Sequence, residues 1–440
     1  MAIVVFRCYA HPALRLSGFS LRPFANTVAS RFIASNESNT LNAIHDGQIR
    51  WNASAAFYLS APRNNIIEHE KKLSSISFFE LPVKKANSAF VWWQKRDIVI
   101  CISRMFYFER WQIMLLALEL YRQYKIDLTV VHVNIVLKSI FDVLKAYEKA
   151  GTLAIRVGIE DLPYDKKTMD FNPSASTEMR AQLVLLHDCF YEFRESADFI
   201  LPIDWDDILF TESHATPLDA LRAATLQYPQ ASVFQMTRIM SVFKTQNLTA
   251  NKEFKLSNFA ATVLSNQDYK DPKMAIRPAK VSGFYIHDVL RLPQNRTNVI
   301  LNRTDLAFLH IKSPNSTHAK KRRLVDQIAL NKLNITEADK FVRQSVLNEQ
   351  LIDALPLDDS EPYYKAIEAC NLRLLNIFKH HCYIAYDCGE MPRRGDKFVV
   401  AHNAYAYATY DAAVSNDISL RQYKMHIHTR TSSEFMEKNE

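Results

Sequence analysis

Three carboxylates fall within four positions at Asp204-Trp205-Asp206-Asp207. Like charges a few ångströms apart raise each other's pKa values, so such a cluster is costly without a cation. A hard divalent ion with oxygen ligands resolves the repulsion, and Mg²⁺ or Mn²⁺ keeps positions open for phosphate oxygens. Such an ion can bridge a diphosphate and neutralise charge on a departing nucleotide. Asp204 and Asp206 are the expected ligands, with Asp207 beside them. The plainer reading is a solvated turn or helix start, where Asp is favoured in any case.

Other residues compete for roles. His287 ends the apolar run Val281-Ser-Gly-Phe-Tyr-Ile-His287 and could complete a metal site, although a lone histidine there is structural by default. Cys189 beside Asp188 invites a nucleophile reading, but no histidine partner is placed by sequence, and a buried or disulfide cysteine fits better. Trp111 and Trp205 read as core. A second enzyme class also uses DxD at a strand end: haloacid-dehalogenase-like phosphohydrolases take the first Asp as nucleophile and the next as acid, here Asp204 and Asp206. That motif normally opens its domain, whereas this one follows at least three strands and runs on into Asp207-Ile208-Leu209.

The elements around the cluster alternate. Asp97–Ser103 is a β-branched apolar run and reads as a buried strand. Glu109–Tyr124 is helical, with Trp111, Leu115, Leu118 and Tyr121 at three- and four-residue spacing. Leu128–Ile135 is a second strand. Ser139, three residues before Asp142, suggests a capping box opening a helix that Gly151 closes as a C′ residue. Thr152–Val157 is a third strand, and a helix from about Thr177 to Arg194 turns Leu183, Leu186, Phe190 and Phe193 inward. Ala197–Ile203 then forms a strand ending directly in Asp204. Strand–helix alternation predicts an α/β fold with a largely parallel sheet covered by helices on both faces. Ligands of such sheets bind outside the carboxyl ends of the strands, where the acidic cluster lies. Residues 1–95 read as an irregular stem, 96–345 as the catalytic domain and 346–440 as a C-terminal extension.

Composition narrows the classes. The chain of 440 residues is 48% hydrophobic and 23% charged, which is ordinary globular composition. Its 7 glycines form neither GxGxxG nor GxxxxGK[ST], against dinucleotide-binding and P-loop enzymes. The net charge is +7, and the basic run Lys320-Lys321-Arg322-Arg323 reads as a solvated helix face, not a nucleic-acid site. The 6 cysteines show no CxxC pair; an even number permits disulfides without requiring them. Sequons stand at Asn36, Asn52, Asn247, Asn295, Asn302, Asn315 and Asn334, which favours a secretory lumen. No apolar stretch approaches the roughly 20 residues of a spanning helix. A membrane anchor is therefore expected upstream of Met1.

Further residues carry a resemblance. Cys101-Ile-Ser-Arg-Met-Phe106, Glu109-Arg-Trp111-Gln112, Tyr147-Glu-Lys-Ala-Gly151-Thr-Leu, Glu178-Met-Arg180, Asp188-Cys189 and Ala197–Asp207 resemble, in order and spacing, glycosyltransferase family 92. This resemblance implies a GT-A fold, inverting chemistry, Mn²⁺ or another divalent cation, a UDP-sugar donor and a glycan or glycoprotein acceptor. Galactose is the expected sugar and the Golgi lumen the expected compartment, with membrane attachment through the leader. It puts donor binding on Ser103, Arg104, Glu109, Arg180 and Asp204. The metal falls to Asp204, Asp206 and His287, since Arg277-Pro278-Ala-Lys280-Val281 followed by Ile286-His287 is similar to a family segment ending in Ile-His. Departures stand at Arg104, where the family has Pro, at Lys125, where it has Gly, near Gly158, where it has an aromatic, and at Pro272-Lys273, where Gly is expected before Lys. These open an alternative, a catalytically inactive glycan-binding or assembly protein on the same fold.

Overall fold

A computed structural model describes residues 95–158, 182–243, 251–289, 292, 295–312, 334–356, 361–377, 396–403, 406–411 and 425–429. Arg180, the Asp/Pro-rich loop at 160–173 and the basic run at 320–323 lie outside the described residues.

The four strands read from sequence are present: β1 (Arg96–Phe108), β2 (Leu128–Leu137), β3 (Leu153–Val157) and β4 (Ala197–Ile203). All pair in parallel, β1 with β2 and β4, and β2 with β3. Alternation along β1 sends side chains to two cores. Ile98, Ile100 and Ile102 join a cluster with helices α1 (Trp111–Gln123) and α2 (Lys138–Lys149). Val99 and Cys101 meet Leu186, Cys189, Phe190 and Phe193 of α3 (Gln182–Phe193). Helices thus cover both faces of the parallel strands, as expected of an α/β fold.

Local details reflect backbone chemistry. Gly151 has φ of 80° and ends α2, with its N–H on Glu148 O and Thr152 N–H on Tyr147 O. Lys125 ends α1 in the same way, at φ 57°, a left-handed position where Gly costs less. The capping box expected at Ser139 does not form: Leu137 is the cap residue, and Asp142 pairs with Lys138 instead. Ser139 is buried one residue inside the helix.

Beyond β4 the sheet is mixed. β5 (Asp207–Phe210), β6 (Ala231–Val242), β7 (Leu264–Ile276) and β9 (Ala307–Lys312) extend it in the order β4-β7-β6-β9-β5, while β8 (Thr297–Ile300) pairs with β6. Helix α4 (Pro217–Gln227) leads into β6 and opens with a capping box between Thr216 and Asp219. Four strand intervals of about 4.8 Å would set β5 about 19 Å from β4 in a flat sheet. The link between them is only Asp204-Trp205-Asp206, about 14 Å at full stretch. The sheet therefore curls until β5 returns to the end of β4, a GT-A-like arrangement. After α5 (Leu256–Ala261), α6 (Ile335–Phe341), α7 (Glu349–Asp353) and α8 (Pro362–Ile377), the strands β10 (Lys397–Asn403), β11 (Ala406–Asp411) and β12 (Met425–Thr429) join the same sheet beside β2.

Candidate active site

The curl gathers charged residues of four strands, β5, β6, β7 and β9, around the turn at 204–207. Asp207 N–H bonds Asp204 O at 3.0 Å and closes the turn. Asp207 pairs across β5–β9 with His310, His310 faces Met240 of β6, and Met236 of β6 pairs with Lys273 of β7. β1 holds register with β2 to Ile102 and then slips before Met105, so Ser103 and Arg104 sit at an irregularity of the kind that re-aims side chains beside sites.

Each carboxylate meets a cation of the chain. Asp204 accepts from Ser103 Oγ at 2.5 Å, Gln182 Nε2 at 3.1 Å and Lys273 Nζ at 2.8 Å. Burial disfavours its charged form, but Lys273 and Ser103 outweigh that and hold the carboxyl down at about 2. Asp206 accepts from Lys312 Nζ at 2.5 Å, with Arg110 and His310 each 3.9 Å away. Asp207, fully buried, takes Arg238 Nε at 2.8 Å and His310 Nδ1 at 2.7 Å. Burial opposes ionisation of Asp206 and Asp207 too, yet Lys312 at the first and Arg238 at the second keep both below the usual carboxylate range. The repulsion the sequence suggests is thus offset within the protein.

A divalent ion still finds donors. Asp206, Asp207 and His310 offer ligand atoms within 4.8 Å of one another. Among the described residues the buried Asp207 Oδ2 has no hydrogen-bond partner, only Lys273 Nζ at 3.6 Å. Two carboxylates and an imidazole suit Mg²⁺ or Mn²⁺, so the residues fit such an ion. This set shares Asp206 with the set expected from sequence and has Asp207 and His310 in place of Asp204 and His287. His287 lies close enough to Lys273 and Asp204 to feel both. Its Nδ1 donates to Pro272 O at 3.0 Å, which leaves the Nε2 lone pair available. Burial first and Lys273 second lower its pKa, favouring neutral imidazole.

The other expected donor residues divide. Ser103 is on the cluster; Arg104 lies over the Phe106 ring with its guanidinium carbon 5.6 Å from the centroid. Glu109 is buried, and its carboxylate accepts the backbone N–H groups of Tyr363 and Tyr364 at 3.1 Å, capping α8. Arg110 next to it bonds Glu361. Trp205 is core against Phe108, as read. Cys189 forms a disulfide with Cys101. Four residues of the cluster are not legible in the motif: Arg238, Lys273, His310 and Lys312. For Arg238, His310 and Lys312 the signal is a polar group on an apolar strand, as in Ala231-Ser-Val-Phe-Gln-Met-Thr-Arg238-Ile-Met, which demands a buried partner without saying which; Lys273, in the polar stretch Asp268–Lys273, carries no such signal.

The sequence model of Glycosyltransferase family 92 matches residues 96–348, more than half of the chain. Glycosyltransferase family 92 protein ZK381.2 of Caenorhabditis elegans is 23% identical over 70% of this chain and 60% of its own length. Protein F55C10.4 of the same family and organism is 30% identical over 35% of this chain and 29% of its own. The chain thus spans at most 60% of these relatives' length. Among solved structures, a UDP-glucose pyrophosphorylase complexed with UDP-glucose aligns over 49% of this chain and 90% of that one, at a TM-score of 0.22 and 8% identity, too slight a likeness to argue from. On the family match, the chain belongs to glycosyltransferase family 92.

Proposed function

We propose that the protein is an inverting glycosyltransferase that moves a hexose, galactose by expectation, from a UDP-sugar to a hydroxyl of a glycan or glycoprotein acceptor. The observation that carries this reading is the Asp204–Asp207 turn at the carboxyl end of β4, beside β1, within the stretch that the family covers. Asp206, Asp207 and His310 would hold a divalent ion, with His287 and Asp204 at its margin. When bound, that ion supplies charge neutralisation for a diphosphate. The chain's own residues orient and balance: Ser103, Gln182 and Lys273 fix Asp204, Arg238 fixes Asp207, and Arg110 and Lys312 are the cations nearest Asp206. Donor contacts of Ser103, Arg104, Glu109 and Arg180 belong to the same proposal.

A second reading rests on the cation beside each carboxylate: Lys312 and Arg110 meet the diphosphate themselves, and no ion takes part. Calorimetric titration of UDP into the full chain, with Mn²⁺ and with chelator, separates the two in wild type and Asp206→Asn. Under the metal reading Mn²⁺ strengthens UDP binding at least tenfold in wild type and has little effect in the variant. Equal, metal-independent affinity in both proteins would remove the ion. Absence of UDP binding to wild type under all conditions would remove the donor and favour the inactive glycan-binding alternative.

The compartment we propose is the secretory lumen, with the Golgi as the expected station and membrane attachment outside the described residues. It is supported by the buried Cys101–Cys189 disulfide and by exposed Asn295, Asn302 and Asn334 within sequons.

A further inference from the structure

At the end of the sheet away from Asp204, three cations from two segments converge on one turn. Arg277 follows β7, donating from NH1 to Pro229 O at 3.1 Å and Ala231 O at 3.0 Å. Lys280, three residues on, donates to the same Pro229 O at 3.0 Å. Arg296, just before β8, donates to the side-chain oxygen of Gln230 at 3.1 Å. Two heads share one acceptor and the third binds the adjacent residue, so the three are neighbours. Their partners among the described residues are all neutral oxygens. Among the described residues none of the three has a carboxylate within 4.0 Å. Asp198, which attracts Arg277 weakly, is engaged by Lys95 at 3.1 Å.

The cations therefore repel one another, with only the weak attraction of Asp198 for Arg277 against it. Burial lowers the pKa of Arg277 and Lys280, and repulsion within the triad lowers it further. Elsewhere the same fold pairs its cations: Arg222 with Asp97 at this end, and Lys273, Lys312 and Arg238 with the carboxylates at the other. All three residues are partly exposed, and they hang over a turn whose residues Tyr228, Pro229 and Gln230 are exposed. Three donors of fork and point type around an open turn match a compact anion with several acceptor oxygens.

We propose that Arg277, Lys280 and Arg296 form an oxyanion site that takes a sulfate or phosphate ester group, at the opposite end of the sheet from the carboxylate cluster. Its ligand is a tetrahedral oxyanion, free or as an ester on a saccharide or at a lipid headgroup. The site does not depend on the proposed transferase activity.

The test uses the full chain and inorganic sulfate and phosphate, against chloride at equal ionic strength, with melting temperature as the readout. Sulfate stabilises most proteins by exclusion from their surface, so the site-specific part is the difference between wild type and Lys280→Gln/Arg296→Gln. The second substitution preserves the sequon at Asn295. Wild type should gain roughly 2–4 °C beyond the double variant at saturation. Without oxyanion at low salt the double variant should melt at the same temperature or higher, because repulsion is relieved; a purely structural triad would lose stability. Arg296→Lys, which keeps the charge, should retain most of the response. Pelleting with phosphatidic acid vesicles but not phosphatidylcholine vesicles assigns the ester to a lipid, and its failure assigns a soluble ester. An identical response in wild type and double variant, or none beyond chloride, overturns the site. UDP titration in the double variant should be unchanged, which separates this proposal from the donor site.

Discussion

With 1% of its side chain exposed, Lys273 puts its ammonium 2.8 Å from Asp204 and 3.6 Å from Asp207. Removing one partner of a buried pair strands the other, at a cost of about 3–5 kcal/mol. Lys273→Met should therefore lower the urea midpoint sharply at neutral pH, and adding Asp204→Asn should recover part of the loss. A single variant within 0.5 kcal/mol of wild type by that measurement would show, on the buried-pair scale, that Lys273 does not balance the cluster. The pH dependence has a definite sign. Asp204 is held at about 2, below the roughly 3.9 of an unfolded Asp, so its contribution is complete above pH 4 and fades as pH falls through 2. The gap between wild type and Lys273→Met should narrow over that window. The carboxylates announce themselves in sequence because they are adjacent. Their cations lie from 31 to 106 positions away along the chain, and only the fold reveals who meets whom.

The parallel strands are readable because each is a continuous apolar run flanked by an amphipathic helix, a pattern set by local burial. β5 is not readable that way. Its four residues Asp207-Ile-Leu-Phe210 become a strand only through pairing with Ala307–His310, about a hundred positions on. The same dependence hides β9 and with it His310. Helix α3 shows what holds one side of the site in place. It carries Gln182 to Asp204, and the Cys101–Cys189 disulfide ties it to β1, two residues from Ser103. Closing an 88-residue separation, the bridge should be worth about 2–4 kcal/mol. Replacing both cysteines by Ala should lower the melting temperature accordingly. It should also raise amide exchange across 182–193 more than across α1, which the opposite core holds. Equal exchange in both helices would mean that packing by Phe190 and Phe193 fixes α3 without the bridge.

At the scale of the molecule, compartment and chemistry are linked. Thiols in a reducing cytosol stay free, whereas Cys101–Cys189 is paired and fully buried, and Cys370 is disulfide-bonded as well. Sequons are informative only where the asparagine is reachable, and Asn295, Asn302 and Asn334 are exposed. Asn302 precedes β9 and donates weakly to Asp305 at 3.4 Å, so a glycan there would disturb little structure. Protein expressed through a secretory pathway should migrate faster after N-glycosidase treatment, and Asn302→Gln should remove one step of that shift without lowering the melting temperature. The same chain made in a reducing cytosol should lack glycan, titrate free thiols after denaturation and melt lower by the margin of the lost bridge. The two measurements are independent, since glycosylation reads surface access during folding and thiol titration reads the buried pair. Secreted protein that is folded but carries neither glycan nor bridge would remove the lumenal assignment, and with it the expectation of a glycoprotein acceptor.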